Sequence, residues 1–302
     1  MKEVILTGAD GFVGRTTIEH LLDSGFTVHA TSLEPRESKL SGLHFHSVDL
    51  LDTVKATEFV KTIGASHLLH FAWFAEHGRF WEAAENHRWV NASAEMFSSF
   101  IAAGGERIVT AGTCAEYDWG IEQQHLSEDR SPTEPTSLYG RSKLELQSIL
   151  ADMSWSTGLS YAWGRIFFPF GAREPSERFV PSVIRSLLDA EQTKLTHCEQ
   201  IRDLIYVNDV GEAFVELLKS DVQGPVNIGS GIPRRLKDIA EKIADIVGRP
   251  DLLRFGEIPA RENEPGRIIA DVGRLENEVG YKPRTPLDVA LKATVESWRD
   301  HH

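Results

Sequence analysis

Two side chains that could move a proton lie four residues apart near the middle of the chain. Tyr139 and Lys143 belong to the segment Tyr-Gly-Arg-Ser-Lys, which opens a strongly helical stretch. Residues at this spacing share one helix face, and an ammonium group beside a phenol stabilises the phenolate and lowers the pKa of the tyrosine. Tyr139 is therefore a candidate general acid or base. Because this pairing is common by chance, its meaning depends on what surrounds it.

A threonine stands where the substrate of such a tyrosine would be held. The strand-like run 108–111 leads into Gly112 and Thr113. Ligands of open α/β sheets bind at the C-terminal edge of parallel strands. A hydroxyl at that edge would hold a substrate oxygen next to Tyr139 and to a nicotinamide. Thr113, Tyr139 and Lys143 are therefore the candidate catalytic residues.

A glycine-rich loop near the start of the chain predicts a dinucleotide site. Glycines at positions 8, 11 and 14 follow the strand-like run 4–7 and precede an amphipathic segment. This context lets the backbone turn tightly and place a pyrophosphate at the positive end of a helix; the alternative is a plain tight turn. The residues predicted to contact the cofactor here are Gly8, Asp10, Gly11, Phe12, Val13 and Gly14.

The end of the second strand favours NADP(H), with NAD(H) as the alternative. A Rossmann site for NAD usually ends this strand with an acid that binds the ribose 2′-hydroxyl, but here the strand ends in Thr31 and Ser32. Ser32 and Arg36 could instead hold a 2′-phosphate; the other interpretation makes Arg36 a solvated loop cation. Past the third strand, Asp49 and Leu50 are placed at the adenine, and a helix N-cap is the alternative role of Asp49.

The elements that must position these residues alternate along the first half of the chain. Short β-branched runs are separated by longer helix-like segments, a pattern that indicates βαβ units and a parallel sheet with helices on both faces. We therefore expect an α/β fold with a Rossmann-type doubly wound parallel sheet. Beyond Gly171 the elements shorten, and Pro and Gly become frequent. The predicted division is a NAD(P)-binding domain over 1–170, to which parts of 200–230 return, and a smaller C-terminal α+β substrate lobe over 171–302.

Composition restricts the partners and the compartment. The 302 residues carry 32 Lys and Arg against 45 Asp and Glu, a net charge of −13. A general nucleic-acid binder is thereby excluded, and any anionic ligand has to be held locally. The chain has two cysteines, no visible apolar leader and no apolar stretch near the ~18 residues of a membrane span. We expect a cytoplasmic protein that binds no membrane, and the 12 histidines lack the ligand spacing of a metal site.

A series of motifs along nearly the whole chain resembles the extended short-chain dehydrogenase/reductase family that acts on nucleotide sugars. The motifs are TGADGFVG at 7–14, LLHFAW at 68–73, GTCAEY at 112–117, YGRSK at 139–143, RIFFPFG at 165–171, RDLIYVNDV at 202–210 and VNIGSG at 226–231. The resemblance implies a Thr113, Tyr139 and Lys143 triad and a nucleotide-diphosphate sugar as substrate. It also implies a homodimer, formed through the long helices predicted over 81–103 and 137–157.

The same resemblance assigns further residues to the ligands. Near the cofactor it places Phe71, Ala72, Trp73 and Asn91, the last as a structural or proton-relay residue. Arg202 and Arg261 would face the nucleotide and the diphosphate, with a surface salt bridge as the alternative for either. The full set assigned to the substrate is Trp73, Thr113, Cys114, Ala115, Phe168, Arg178, Phe179, Arg202 and Arg261. Aromatic residues after the fourth strand, at 73, 74 and 81, could stack on a sugar or complete the core.

Departures from the family's patterns narrow the reaction. The 4,6-dehydratases of this family carry an Asp-Glu pair directly after the catalytic threonine, where this chain has Cys114 and Ala115. Glu116 is displaced by one residue and, in an extended segment, would point to the other face. The fucose-synthase type uses a cysteine and a histidine, at positions that match Ala115 and Arg178. Dehydration and dual epimerisation and reduction are therefore disfavoured.

Simple hydride transfer remains as the leading hypothesis. UDP-galactose 4-epimerases carry a strand-end acid where this chain has Ser32 and an asparagine where it has Phe168. We expect an NADPH-dependent reductase of a nucleotide-linked 4-keto-6-deoxysugar, in which Tyr139 donates a proton to the oxygen formed at C4. An NAD-dependent nucleotide-sugar 4-epimerase is the alternative. A non-catalytic NADP(H)-sensing Rossmann protein is the alternative from another class, which the intact triad disfavours.

Overall fold

The structure, a computed structural model, describes residues 2–120, 124–260 and 264–300. Apolar runs form its strands and the amphipathic segments between them form its helices. The strands are β1 (Glu3–Thr7), β2 (Thr27–Ser32), β3 (Leu43–Ser47), β4 (His67–His70), β5 (Arg107–Thr113), β6 (Ser160–Ile166), β7 (Phe168–Phe170), β8 (Thr193–Leu195), β9 (Ile201–Arg202), β10 (Leu204–Tyr206), β11 (Gly224–Ile228), β12 (Arg234–Arg235), β13 (Leu253–Phe255) and β14 (Arg267–Ile268). The helices are α1 (Phe12–Asp23), α2 (Thr53–Ile63), α3 (Glu85–Ala102), α4 (Leu138–Thr157), α5 (Phe179–Leu188), α6 (Val207–Lys219), α7 (Leu236–Val247) and α8 (Leu287–Arg299).

Seven parallel strands form one sheet in the order β3-β2-β1-β4-β5-β6-β11. The order reverses at β1, because β2 and β3 lie on one side of it and β4, β5 and β6 lie on the other. At such a switch point the connections diverge to opposite faces and leave a crevice in which ligands bind. The predicted Rossmann-type doubly wound sheet is confirmed.

Side chains alternate between the two faces of this sheet, as extended strands require. Val4 and Leu6 of β1 belong to a buried cluster with residues of α1 and α6. Ile5, between them, belongs to a second cluster with residues of α2, α3 and α4. Helices therefore cover both faces, and the strand ends are held in place beneath the loops that carry the candidate site.

One helix begins later than its sequence pattern predicts. The pattern extends the third helix back to Trp81, but α3 begins at Glu85. The buried Asn86 side chain donates to the carbonyl oxygens of Phe80 and Ala83 at 2.7 and 2.9 Å. These bonds tie the residues before α3 into turns, so this segment forms part of the loop that follows β4.

Most of the chain beyond residue 170 forms smaller sheets around a core of its own. β7 pairs with β10, β9 pairs with β12 and β14, and β8 pairs with β13. Residues of α5, α7 and α8 share one buried cluster, which contains Val183, Ile243 and Leu291. By contrast, α6 packs on α1 and β11 pairs with β6, so the stretch 207–228 returns to the main sheet. The predicted domain limit at residue 170 stays a prediction.

Candidate active site

The glycine loop joins β1 to α1 through close backbone contacts. Gly8 has a φ of +69°, and a Cβ on it would stand 2.7 Å from the Ala72 nitrogen. A Cβ on Gly14 would stand 2.1 Å from the Gly8 carbonyl oxygen. Gly11 precedes α1 and has no side chain with which to cap the helix, so the first N–H groups of α1 are available to a ligand. The predicted phosphate site therefore has the backbone that it requires.

A buried hydrogen-bond chain beneath this loop joins the ends of β1 and β4. Thr7 Oγ1 accepts from the N–H groups of Phe71 and Ala72, both at 3.2 Å, and lies 2.7 Å from His70 Nδ1. The other ring nitrogen of His70 lies 3.0 Å from Ser93 Oγ on α3. Burial lowers the pKa of His70 to about 3, so the ring is neutral and fixes the predicted cofactor residues 71 and 72. This hydrogen-bond chain was not predicted: Thr7 and His70 belong to two separate motifs and Ser93 to none, and the motifs do not show that the three side chains meet.

The polar groups at the end of β2 already have partners. Ser32 is buried, and its hydroxyl donates to the Glu34 carbonyl oxygen at 2.8 Å. The Arg36 guanidinium forms an ion pair with Asp10 of the glycine loop and lies 4.1 Å from the ring centre of Phe45. A 2′-phosphate at this position would therefore compete with the Asp10 carboxylate for Arg36.

Asp49 is exposed and organises the turn before α2. Its carboxylate accepts from the Leu51 N–H at 2.9 Å. The N-cap of α2 is Asp52, which accepts from the Lys55 N–H at 3.2 Å. Asp49 is therefore not the helix cap, and its role at the adenine stays a prediction. Leu50 is buried in the second core cluster.

The Glu116 side chain fixes the C-terminal end of β5 through buried hydrogen bonds. Its buried carboxylate accepts from the Thr113 N–H at 2.8 Å, from Trp163 Nε1 at 2.9 Å and from Arg165 Nε at 2.6 Å. The Thr113 hydroxyl accepts from the Ala115 N–H at 3.2 Å, and residues 114–116 form a single 3₁₀ turn. The chain is therefore not extended here, contrary to the premise of the sequence argument. Glu116 positions Thr113, and both of its carboxylate oxygens are already hydrogen bonded within the protein.

Tyr139 lies in the first turn of α4, inside a group of aromatic rings. Ser137 caps this helix by accepting from the Gly140 N–H at 3.1 Å. Phe80 and Trp81 approach the Tyr139 ring edge-on, with ring centres at 4.9 and 5.9 Å. The Tyr139 N–H also donates to the Trp81 carbonyl oxygen at 2.9 Å, which ties the loop after β4 to the start of α4.

The structure brings Tyr139 to Thr113, as the sequence analysis predicted. Burial raises the pKa of Tyr139, while a hydrogen bond with the Thr113 side chain and the positive charge of Arg178 lower it. The net direction is opposite to the one expected from Lys143. Desolvation of the phenolate is the largest of these effects and outweighs the hydrogen bond and the positive charge.

Lys143 is buried between the end of β5 and the residues after β4. Its ammonium donates to the Ala111 carbonyl oxygen at 2.9 Å and lies 3.8 Å from the ring centre of Trp73. Burial lowers the pKa of Lys143 to about 7, and the charge of Glu116 opposes this shift. The Lys143 ammonium therefore covers one face of the Trp73 ring. The Trp73 indole N–H donates to Asn86 Oδ1 at 2.8 Å.

The two residues that follow Thr113 offer no acid or base. Cys114 and Ala115 are 4% and 5% exposed and belong to the 3₁₀ turn. Burial raises the pKa of the Cys114 thiol, so a thiolate is disfavoured. Trp119 Nε1 donates to the Cys114 carbonyl oxygen at 2.9 Å, which folds the next residues back over the turn.

Two of the three arginines predicted to bind substrate lie within the described residues, and both are paired with carboxylates. Arg178, at the N-cap of α5, lies 3.2 Å from Glu174, whose pKa burial raises to about 7. Arg202 lies 3.1 Å from Glu264, and its guanidinium is 5.6 Å from the ring centre of Phe168. The two remaining predicted substrate residues are placed differently: Phe179 begins α5 and packs against the core of the second lobe, and Arg261 lies outside the described residues.

Comparison with known proteins identifies the family. A model described as the NAD dependent epimerase/dehydratase family matches residues 4–229. The chain belongs to this family. The resemblance to extended short-chain dehydrogenases/reductases that the motifs indicated is thereby confirmed.

Alignments with related proteins cover most of the chain. A UDP-glucose 4-epimerase of Streptomyces lividans is 24% identical, covering 99% of this chain and 96% of its own length. A dTDP-6-deoxy-L-talose 4-dehydrogenase (NAD(+)) of Aggregatibacter actinomycetemcomitans is 28% identical, covering 79% and 88% respectively. Among solved structures, MoeE5 in complex with UDP-glucuronic acid and NAD has a TM-score of 0.84 and 25% identity over 100% of both chains.

Two asparagines of α3 have different surroundings in this epimerase/dehydratase chain. Asn91, which the resemblance places at the cofactor, lies on the exposed side of α3. Asn86 is 0% exposed and links Trp73 to the loop after β4. Asn86 supports the wall beside the glycine loop, and a role for Asn91 at the cofactor stays a prediction.

Three histidines meet on β2 and β3. His29 Nδ1 lies 3.1 Å from His46 Nε2, and the His29 and His44 rings stack with centres 5.4 Å apart. His44 and His46 alternate with Phe45 along β3 and therefore share one face of the sheet. In the described residues, no three or more His, Cys, Asp or Glu side chains are grouped so as to hold a metal ion. Every helix in that same part of the chain is too short or too polar to cross a membrane.

Proposed function

We propose that this protein is a nucleotide-sugar 4-epimerase. The observation that carries the proposal is the convergence of Thr113, Tyr139 and Lys143 at the C-terminal end of β5. This arrangement occurs in a chain that aligns over nearly its full length with a UDP-glucose 4-epimerase. The comparisons favour epimerisation over the 4-keto-6-deoxysugar reductase that the sequence led us to expect.

The loop before α1 fits a nicotinamide dinucleotide. The uncapped N–H groups of α1 can receive its pyrophosphate, and Gly8 and Gly14 leave no room for a Cβ in the turn that presents them. A nicotinamide held there would supply a reversible hydride acceptor for C4 of the sugar. Lys143 is a buried cation in contact with Trp73, which follows β4, and it would bind the hydroxyls of the nicotinamide ribose.

The chain's own side chains would manage the proton at the C4 oxygen. The Tyr139 Oη takes the proton of the C4 hydroxyl and later gives it back to the same oxygen, after the sugar has turned its other face to the nicotinamide. The Thr113 hydroxyl holds that oxygen against Tyr139. Because burial raises the pKa of Tyr139, the phenolate needs a nearby positive charge, which Lys143 and Arg178 would supply.

The decisive experiment follows hydrogen at C4. The full-length protein is incubated with NAD and UDP-glucose deuterated at C4, and the product is analysed by NMR. An epimerase gives the C4 epimer with the deuterium retained and without net reduction of NAD. Tyr139→Phe should lower the rate by about 10²-fold or more while UDP-glucose binding persists, and a turnover equal to that of the wild type would refute the role of Tyr139.

Reduction of a 4-keto-6-deoxysugar nucleotide is the second candidate. Two observations favour it: β2 ends in Ser32, without an acid for the NAD ribose, with Arg36 four residues further on, and one relative is a dTDP-6-deoxy-L-talose 4-dehydrogenase (NAD(+)). A reductase would consume NADPH in equal amounts with a 4-keto-6-deoxysugar nucleotide, and transfer deuterium from the cofactor to C4. Failure of both reactions would leave the non-catalytic NADP(H) sensor. A homodimer and a cytoplasmic location stay predictions.

A further inference from the structure

We propose that Phe80, Trp81 and Trp119 form a platform on which the hexose ring of the substrate stacks, and that this platform selects an uncharged sugar. The inference deepens the proposed function and rests on it, because it places C4 of the sugar at Tyr139. These three side chains together are called the aromatic platform.

The aromatic platform is built directly against the predicted catalytic tyrosine. Phe80 and Trp81 lie 4.6 Å apart by ring centres, and both meet the Tyr139 ring edge-on. Trp119 meets Trp81 edge-on at 6.2 Å. A sugar whose C4 hydroxyl reaches Tyr139 and Thr113 would therefore have these rings within reach.

The rings are held in place and remain open to solvent. The Tyr139 N–H fixes the Trp81 carbonyl at 2.9 Å, and the Trp119 indole donates to the Cys114 carbonyl oxygen at 2.9 Å. All three rings of the platform are nevertheless partly exposed. Phe80 and Trp81 belong to none of the core clusters of the described residues. Rigid, partly exposed aromatic rings beside a catalytic group offer contact area to a ligand at low entropic cost.

Trp73 and Phe74, the other aromatic residues after β4, have different partners. Lys143 covers the Trp73 ring at 3.8 Å, and the Arg79 guanidinium lies 5.9 Å from the centre of Phe74. The sequence analysis considered 73, 74 and 81 together for sugar stacking. The structure separates them, because only Trp81 of the three contacts Tyr139 and Trp119.

The charges around the aromatic platform favour a neutral sugar. The carbon-bound hydrogens of a hexose face match the negative faces of aromatic rings. Arg178, whose positive charge acts on Tyr139, is already paired with the Glu174 carboxylate at 3.2 Å. A sugar carboxylate that approached Arg178 would have to compete with Glu174 for it, whereas an uncharged hydroxymethyl or methyl group would meet no such competition.

The test measures how much the sugar adds to nucleotide binding. Calorimetric titrations of the NAD-loaded full-length protein with UDP-glucose and with UDP give the ratio of the two Kd values. Trp81→Ala should lower the preference for UDP-glucose about tenfold and leave the Kd of UDP unchanged. Trp81→Phe, which keeps a ring, should retain most of the preference. Trp155→Ala is the matched control, because Trp155 is 90% exposed near the end of α4.

Each outcome has a defined meaning. If Trp81→Ala weakens UDP and UDP-glucose equally, or changes neither, the aromatic platform does not bind the sugar. Tighter binding of UDP-glucuronic acid than of UDP-glucose would overturn the selection of a neutral sugar. If the wild-type protein binds UDP and shows no preference for UDP-glucose, the aromatic platform is refuted and the proposed function is not. Protein that binds none of the UDP, dTDP and GDP pairs of nucleotide and nucleotide sugar refutes the proposed function itself.

Discussion

Replacing Glu116 by glutamine should destabilise the protein strongly although the new side chain has nearly the same shape. Glu116 is 0% exposed and forms an ion pair with Arg165 at 2.6 Å. The Arg165 side chain is itself 3% exposed, and its Nη1 has no hydrogen-bond partner among the described residues. Loss of the carboxylate therefore leaves a buried guanidinium with no opposing charge at hydrogen-bond distance.

The expected cost follows from this geometry. Breaking a buried pair by neutralising one partner costs about 3–5 kcal/mol, and the Thr113 N–H and Trp163 Nε1 also lose a charged acceptor at 2.8 and 2.9 Å. We expect Glu116→Gln to lose at least ~3 kcal/mol. Because Glu116 holds the Thr113 backbone, kcat should fall as well in the fraction that remains folded.

Urea unfolding followed by far-ultraviolet circular dichroism measures the loss. Glu278→Gln is the matched control, since Glu278 pairs with Arg274 at 2.6 Å but is 47% exposed, and such pairs contribute about 0–1 kcal/mol. A double variant with Glu116→Gln and Arg165→Met should recover part of the loss, because it removes the unpaired charge. An equal free energy of unfolding for Glu116→Gln and the Glu278→Gln control would refute the reasoning.

Three further predictions test the cofactor site. Gly14→Ala should abolish NAD binding in a titration, because its Cβ would stand 2.1 Å from the Gly8 carbonyl oxygen, whereas Gly266→Ala, with open space around it, should bind NAD normally. Burial lowers the pKa of His70 to about 3, so stability present above pH ~6.5 is lost as the pH falls toward ~3; His70→Gln should unfold with a weaker pH dependence, and an unchanged slope would exclude this origin. Burial lowers the pKa of Lys143 to about 7, so between pH ~7 and pH ~10 this lysine carries a proton in the unfolded chain but not in the folded one. As the pH rises through that range, the free energy of unfolding of the wild type should therefore increase relative to that of Lys143→Met. An identical pH dependence of the two free energies would contradict the shift.

The fold was predictable because its signals are local. Apolar runs and amphipathic segments alternate in βαβ order, and the glycine loop marks the first crossover. The start of α3 was not predictable in this way, since it depends on the Asn86 side chain and on the carbonyl groups that it binds. A helical pattern records which face is apolar and does not record where a side chain ends the helix.

Site residues that belong to recognisable motifs could be predicted from the sequence. Contacts and pKa values that depend on residues far away in the chain could not. Thr113 and Tyr139 meet as expected, but Glu116 and Arg165 are 49 positions apart and form one buried pair. The pKa of Tyr139 was expected to fall because of Lys143, and burial raises it instead. Desolvation depends on how many elements enclose a group, which spacing along one helix does not reveal.

The arginines predicted to bind anions show how an acidic chain can keep such sites. Of these, Arg36 and Arg202 lie within the described residues, and each is paired with a carboxylate, from Asp10 and Glu264 respectively. In a chain of net charge −13, internal carboxylates thus stand where ligand oxygens would bind. A phosphate ligand would have to replace them, and it could do so because several oxygens on one group match the planar fork of a guanidinium in two bonds at once. An anion with a single binding oxygen has no such advantage over a carboxylate already tethered in place, so these pairs favour phosphates over simple anions.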